Sequence, residues 1–347
     1  MPIITSENAE EVAANGCARS TVKETYEFIL GDLNKAIELL ANTKKTRSDK
    51  RYVSLDVAYG IRARVHLTMH NYADALKDAE AALASTSSVP YSSAAVSKPT
   101  FIDIEDASWM WGILITDKDR VSTTGICNFP SHMGSLNYGY ASVGGWRRIS
   151  PKLYNQIPES DVRKGWFLDD TGVSVNLPAA AQAYITKKGA PVYTQVKYGP
   201  MNDEWGSNNN ATDVILMRVE EMYLIKAEAQ AMNNDVSGGV NTLNSFVNTY
   251  RDPSYKCTAT TGEAVQEAVW HQRRIEFWGE GLAYFDIMRL NKGVNRLGCG
   301  FPKTAVFNIA AGDPVQIYSI PNKEVQYNPL LENNPLVSAP TPIPDEE

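Results

Sequence analysis

Apolar residues recur at steps of three and four over Val22, Tyr26, Ile29, Leu33, Ile37 and Leu40. That spacing lays a single stripe along an α-helix. A basic, polar stretch from Asn42 to Arg51 interrupts the pattern. A second helix is predicted from Ser54, placed to cap it, to about Met69; Asn71 and Tyr72 make a turn. Ala75, Leu76, Ala79 and Leu83 carry a third helix. Ala58, Ala63, Ala75, Ala79 and Ala82 are small enough for two antiparallel helices to approach closely, in the manner of a tetratricopeptide pair.

From Ser85 to about Asp213 helical periodicity gives way to prolines, glycines, Asn clusters and short Tyr/Val-rich pieces such as Val192–Lys197. Helix is predicted again from Ile215 through Met232, with a break at Asn233–Gly239. Val240, Leu243, Val247 and Tyr250 form the next stripe, and a further helix runs from about Glu263 to Trp278. After Asn291 the chain reads as irregular and ends in the acidic, Pro-rich Thr341–Glu347. A structureless stretch as long as 85–213 must be packed against something. Long packed loops on a rigid scaffold are where binding residues concentrate.

Composition narrows the function. The 347 residues are 43% hydrophobic, enough for a large core, and carry a net charge of −7. The acidic balance argues against a protein that works by neutralising many phosphates, which needs a basic face, so no nucleic-acid partner is expected. No run approaches the roughly 18 apolar residues of a membrane-spanning helix. Cys17, Cys127, Cys257 and Cys299 show neither CxxC pairing nor metal-type spacing.

Four blocks then match a known family. Leu216-Met-Arg-Val-Glu-Glu-Met-Tyr-Leu-Ile-Lys-Ala-Glu-Ala contains Arg218-x-x-Glu221, Tyr223-Leu224 and Ala227-Glu228-Ala229. It resembles the hallmark helix of the SusD/RagB family. Arg273-Arg-Ile-Glu-Phe-Trp-Gly-Glu-Gly with Phe285-Asp-Ile-Met-Arg289 is similar to the family's second signature. Ile320-Pro321, Glu324 and Asn328-Pro329-x-Leu331-x-Asn333-Asn334-Pro335 resemble its closing motif. Ser150–Tyr154, Asp161-x-Arg163 and Lys197-Tyr198 match further landmarks. Ala283, Glu220 and Asn333 depart from the usual arginine, small residue and glutamine. The resemblance spans roughly Tyr26 to Pro335.

The resemblance implies a mainly α, SusD-like fold in which tetratricopeptide-like helix pairs support a long irregular, aromatic-rich, ligand-facing half. The expected organisation is one domain over 1–347. Within it, helices occupy 20–84, the ligand-facing region 85–213, signature helices 214–290 and an irregular segment 291–347. The implied protein is a non-catalytic outer-membrane lipoprotein of the cell surface. It would bind oligosaccharides, or peptides in RagB-like members, and work with a SusC-like TonB-dependent transporter; no cofactor is implied. The family carries a signal, a lipidated cysteine and a further helical segment before Tyr26. The sequence shows none of these, so the expectation is a chain incomplete at its N-terminus.

The candidate chemistry points the same way. Arg218, Glu221, Arg274, Glu280, Asp286 and Arg289 place arginines beside carboxylates. Such neighbours keep a carboxylate ionised, which favours structural ion pairs over a proton donor. No catalytic residue is assigned, although a hydrolase would draw on loop carboxylates such as Asp169 and Asp170. His66 and His70 have metal-ligand spacing, but Leu67 stands where a zincin has its glutamate, and no metal is assigned. Asp103-x-Glu105-Asp106 and Asp117-x-Asp119 lack EF-hand spacing. Sugar rings pack their C–H faces on aromatic rings while amides bond their hydroxyls. Five of the seven tryptophans lie in the irregular half. The expected platform draws on Trp109, Tyr138, Tyr140, Trp146 and Trp205, with Asn137 and Asn208 as amide partners. Trp270 and Trp278 are assigned to the core.

Overall fold

The computed structural model describes residues 2–43, 45–119, 122 and 128–343. Cys127 and the last four residues of the acidic tail lie outside them. The chain divides into two compact units, one of Leu40–Ala283 and one of Met1–Leu39 with Tyr284–Glu347. Helix dominates, and among the described residues the regular sheet amounts to two short two-stranded pairs.

The larger unit is built around the helix Val219–Met232. Ten of its residues are buried, including Met222, Leu224, Ile225 and Ala229. A helix with buried residues around its whole circumference, Glu220, Glu221 and Glu228 among them, has to be enclosed. One side takes the antiparallel pair Leu55–Thr68 and Tyr72–Ser85, where Val57, Ala63, Leu67, Ala75, Ala79 and Ala82 meet Met222 and Ile225. The other takes Val236–Tyr250 and Gly262–Glu276, whose Leu243, Phe246, Val247, Val265 and Val269 pack on Leu224 and Ala227. The alanines behave as their size dictates, with Ala63, Ala75, Ala79 and Ala82 wholly inaccessible to solvent. Gly239 serves the same end, since a Cβ there would stand 2.7 Å from the Ala227 carbonyl oxygen.

Local differences from the sequence expectation have local causes. Helix does not begin at Ile215. Val214–Arg218 is a strand paired antiparallel with Trp109–Ile113, with Trp109 opposite Arg218 and Ile113 opposite Val214. The β-branched start and a partner strand override helix propensity, and the helix opens at Val219. Tyr72 is the first residue of its helix rather than part of the turn, and helix resumes at Val236 inside the expected break. Ser54 stands at the cap position, but its hydroxyl donates to the Asp56 carboxylate instead of accepting from the helix. His66 and His70 do not share a helix face, because the helix ends at Thr68 and His70 has φ 60°.

The irregular region has its own core. Tyr91, Phe101, Trp109, Trp166, Phe167 and Tyr198 cluster with Ile149, Leu153 and Ile275. A helix the sequence did not foretell, Ala179–Lys187, helps form a satellite cluster of Leu136, Leu168, Ala181, Ile185 and Val196. The Val192–Lys197 piece contributes isolated bridges, Thr194 to Arg148 and Gln195 to Phe167.

In the smaller unit the helix Val22–Asn42, all but its last three residues, starts at a reciprocal cap. Glu24 N–H donates to Thr21 Oγ1 at 3.1 Å while Thr21 N–H donates to the Glu24 carboxylate at 2.8 Å. Asn333, in place of the usual glutamine, still pins its loop. It accepts from Ile320 N–H at 2.8 Å and donates back to the Ile320 carbonyl at 3.1 Å. Asp286 and Arg289 pair at 2.9 Å.

Candidate functional site

The charged residues that the sequence singled out are mostly buried in ion pairs, and Arg218 and Glu221 have partners other than each other. Arg218 ends its strand in an extended conformation (ψ 156°), which delivers a fully buried guanidinium to the Gly262–Glu276 helix end. There it donates to Glu276 Oε1 and the Glu276 carbonyl at 2.6 Å each, and to both Glu280 oxygens at 3.0 Å. Arg251 clamps Glu276 at 2.7 and 2.8 Å and reaches Glu220 at 3.1 Å. Arg163 joins Asp161 to Glu276, and the Lys197 ammonium sits 2.5 Å from Glu280. Four carboxylates therefore meet four cations away from water. Burial pushes the Glu276 carboxyl up, but Arg251, Arg218 and Arg163 overcome this and hold it well below the usual range. Glu280 is lowered in the same way by Arg218 and Lys197. Burial brings Lys197 down to about 8 against the opposing pull of Glu280. Glu221 is not Arg218's partner. Arg64 from the neighbouring helix holds it at 2.5 and 2.7 Å. Arg274 lies over the Trp270 ring at 5.0 Å.

The expected aromatic platform separates into buried and exposed parts. Trp109 is fully buried, its indole N–H donating to Tyr91 Oη at 2.7 Å, so its ring faces core and not solvent. Asn137 is buried as well, its amide turned to Asn210. The remaining residues come together. Segments 136–140 and 206–210 run side by side, tied by Tyr138 N–H to Ser207 carbonyl at 2.7 Å and Gly206 N–H to Leu136 carbonyl at 2.8 Å. Asn210 Nδ2 donates to the carbonyls of both Tyr138 and Asn208 at 3.2 Å. The result is a ledge on which Tyr138 is 48% and Tyr140 43% exposed, with Asn208 exposed beside them. Trp146 and Trp205, half-buried, rest on the satellite cluster beneath. His132 stacks on Tyr140 at 4.7 Å, Arg147 lies 5.7 Å over the same ring, and the Lys188 ammonium is 5.4 Å from Tyr138. Among the described residues no group of three or more His, Cys, Asp or Glu is placed to hold a metal ion.

A second concavity lies in the same unit, a cleft of about 500 Å³. Tyr154 and Tyr193 line it with rings 5.2 Å apart, together with Asn155, Asn176, Asp169 and Asp170. Tyr193 has φ 64°, a conformation that costs a non-glycine residue on the order of 1–3 kcal/mol. Its N–H donates to the Leu168 carbonyl at 3.1 Å, and its carbonyl accepts from Ile149 at 3.0 Å. These bonds hold the ring at the cleft wall. Burial tends to raise the Asp169 carboxyl, but donation from Val173, Thr171 and Gly172 lowers it below the ordinary value. A carboxyl lowered in this way is a poor proton donor, which counts against Asp169 as a hydrolytic acid. Sequence reasoning reached Asp169 and Asp170 but missed the Tyr154–Tyr193 wall. The Tyr/Val-rich Val192–Lys197 piece was the available clue, and only the pairing of 148–149 with 193–194 aligns the two rings.

Comparison with known proteins bears on this geometry. The sequence model of the SusD family matches residues 163–336. The fold is similar to a SusD-like carbohydrate binding protein from Bacteroides vulgatus, with TM-score 0.74, 24% identity, and 95% of this chain against 69% of that one. It is also similar to a SusD superfamily protein from Bacteroides thetaiotaomicron, with TM-score 0.73, 23% identity, and coverage of 92% and 68%. At these identities the likeness speaks for a shared fold. No curated protein matches the chain.

Proposed function

Since the chain belongs to the SusD family, we propose that it binds oligosaccharides at a bacterial cell surface, without transforming them, for uptake through a SusC-like TonB-dependent transporter. The observation that carries the binding half of this reading is the ledge. Two tyrosine rings stand open to solvent on backbone that is cross-tied to a second segment, with Trp146, Trp205 and the Asn208 amide alongside. Rings on cross-tied backbone are preorganised, which lowers the cost of binding; a sugar shares Tyr140 with His132 and Arg147, and Tyr138 with Lys188. Arg147 and Lys188 offer donors at the ledge to the hydroxyls of the same ligand. Few hydrogen bonds and a shallow surface give modest affinity, on the order of micromolar to millimolar.

The test is a glycan array screened with the chain, followed by calorimetry of the best ligand against Tyr140→Ala and Tyr138→Ala. Binding that falls in both variants supports the reading; capture of a peptide pool in place of glycans overturns it. The transporter half rests on family membership. Co-purification with a SusC-like protein from the same cell surface supports it, and separate elution under the same conditions counts against it.

A further inference from the structure

The ledge and the cleft share a scaffold but differ in charge. Arg148 bridges Thr194, Phe167 bridges Gln195, and Leu168 N–H donates to the Thr194 carbonyl. Trp146 on the ledge side and Tyr193 and Asp169 on the cleft side therefore extend from adjoining segments. The ledge carries Arg147 and Lys188. The cleft carries carboxylates. Asp161 is neutralised by Arg163 at 2.6 Å and Glu159 by Lys164 at 2.5 Å. Asp169 takes its bonds from its own loop, namely Thr171 N–H at 2.8 Å, Thr171 Oγ1 at 2.7 Å and Val173 N–H at 3.0 Å. Among the described residues no lysine or arginine pairs with Asp169 or Asp170. Two uncompensated negative charges face a cavity large enough for one or two sugar rings.

We propose that this cleft is a second ligand site of the protein, built for a saccharide bearing a protonated amine. The sugar ring packs against Tyr193, with the Lys164 ammonium standing 5.1 Å over the neighbouring Tyr154 ring, while the ligand's own ammonium lies toward Asp169 and Asp170. Three observations bear on it independently. Tyr193 is kept in a left-handed backbone conformation, its ring packed against the core cluster beside Tyr154, so the wall is fixed before a ligand arrives. Its ring forms the side wall, tilted 58° to Tyr154 with the two centroids 5.2 Å apart, so the two rings make one continuous angled wall. The field in the cleft is negative. Burial, followed by Asp169, Glu159 and Asp170, raises the Tyr154 phenol to about 12. A uronic acid or sulfated sugar entering there meets like charge, which electrostatic complementarity selects against. The proposal rests on the saccharide reading above but uses different residues.

The experiment is calorimetry at pH 6 with four probes: a glucosamine tetramer, its N-acetylated counterpart, a galacturonate tetramer and tetralysine. They are titrated into the unaltered chain, Asp170→Lys, Tyr193→Gly and Tyr140→Ala. The account expects the glucosamine tetramer to bind more tightly than the N-acetylated one, and galacturonate not to bind at the cleft. Asp170→Lys should weaken glucosamine binding about tenfold, and added salt should weaken it in the unaltered chain. Tyr193→Gly should weaken it; relief of the strained φ offsets part of the packing that the ring gives to the core, and the melting temperature is recorded on the same sample. Tyr140→Ala should leave it unchanged. The proposal is overturned if glucosamine binding ignores Asp170→Lys, if galacturonate binds the Tyr140→Ala variant as tightly as glucosamine does, or if tetralysine binds as tightly as the amino sugar. If glucosamine binding falls only in Tyr140→Ala, the cleft proposal fails while the ledge reading stands.

Discussion

The buried charge network and the aromatic ledge contain the residue types usually read as functional, and burial assigns them opposite roles. Around Glu276, four cations and four carboxylates are enclosed, mutually bonded and closed to any ligand. On the ledge, Tyr138 and Tyr140 keep nearly half their surface in water, and their neighbours brace them from behind. Removing a member of the first should damage the fold and leave recognition as a secondary casualty. Removing a member of the second should damage recognition and spare the fold. The same division runs through the tryptophans, with Trp109 and Trp166 buried in core and Trp146 and Trp205 half-buried under the ledge.

The sharpest way to break this comparison is Arg218→Ala. It strands Glu276 and Glu280 without their shared guanidinium, and breaking a buried pair costs about 3–5 kcal/mol. Denaturant unfolding should show a loss of that size; a loss below ~1 kcal/mol would mean the network is not closed. Acid probes the same cluster. Glu276 and Glu280 have folded pKa values below 4.5, so the folded state resists protonation more than the unfolded chain does. Their contribution is complete above about pH 4.5 and is lost as pH falls below it. A melting temperature that stays level from pH 6 to pH 3 would contradict this. A smaller effect distinguishes partners. Glu221→Gln should cost about 1–2 kcal/mol, because Arg64 remains partly solvated and can turn to water. A double-mutant cycle should find coupling between Glu221 and Arg64 and none between Glu221 and Arg218. At the small end, Tyr140→Ala should shift stability by no more than about 0.5 kcal/mol, as surface substitutions do. A larger shift measured by the same unfolding assay would make Tyr140 a core residue.

How far the sequence foretold these two regions follows from the range of the forces involved. Helices with a clean stripe, such as Val236–Tyr250 with Val240, Leu243 and Val247, were legible because the pattern is local. The family blocks marked the residues of the network but not its wiring. Arg218 and Glu221 sit one helical step apart in the chain, yet the strand that ends at Arg218 turns its side chain away from the helix face that Glu221 occupies. The ledge was half legible. Composition pointed to aromatic and amide residues in the irregular half, but burial depends on contacts far apart in sequence. Trp109 pairs across a strand with Arg218, and Asn137 is drawn inward by Asn210, neither visible in local pattern. The cleft was the least legible because its walls, near 154, 169 and 193, meet only through bridges between irregular segments.

The central claim is that the open tyrosines of the ledge, not the buried aromatic residues, carry recognition. The most direct measurement is calorimetric affinity for a glycan identified by the array, taken for Tyr140→Ala and Trp109→Phe with melting temperatures recorded on the same samples. The account predicts that Tyr140→Ala loses about ten- to a hundredfold in affinity at an unchanged melting temperature. It predicts that Trp109→Phe loses stability while the protein that remains folded keeps its affinity. Unchanged affinity in Tyr140→Ala, or an affinity loss that follows the melting temperature across both variants, would contradict it.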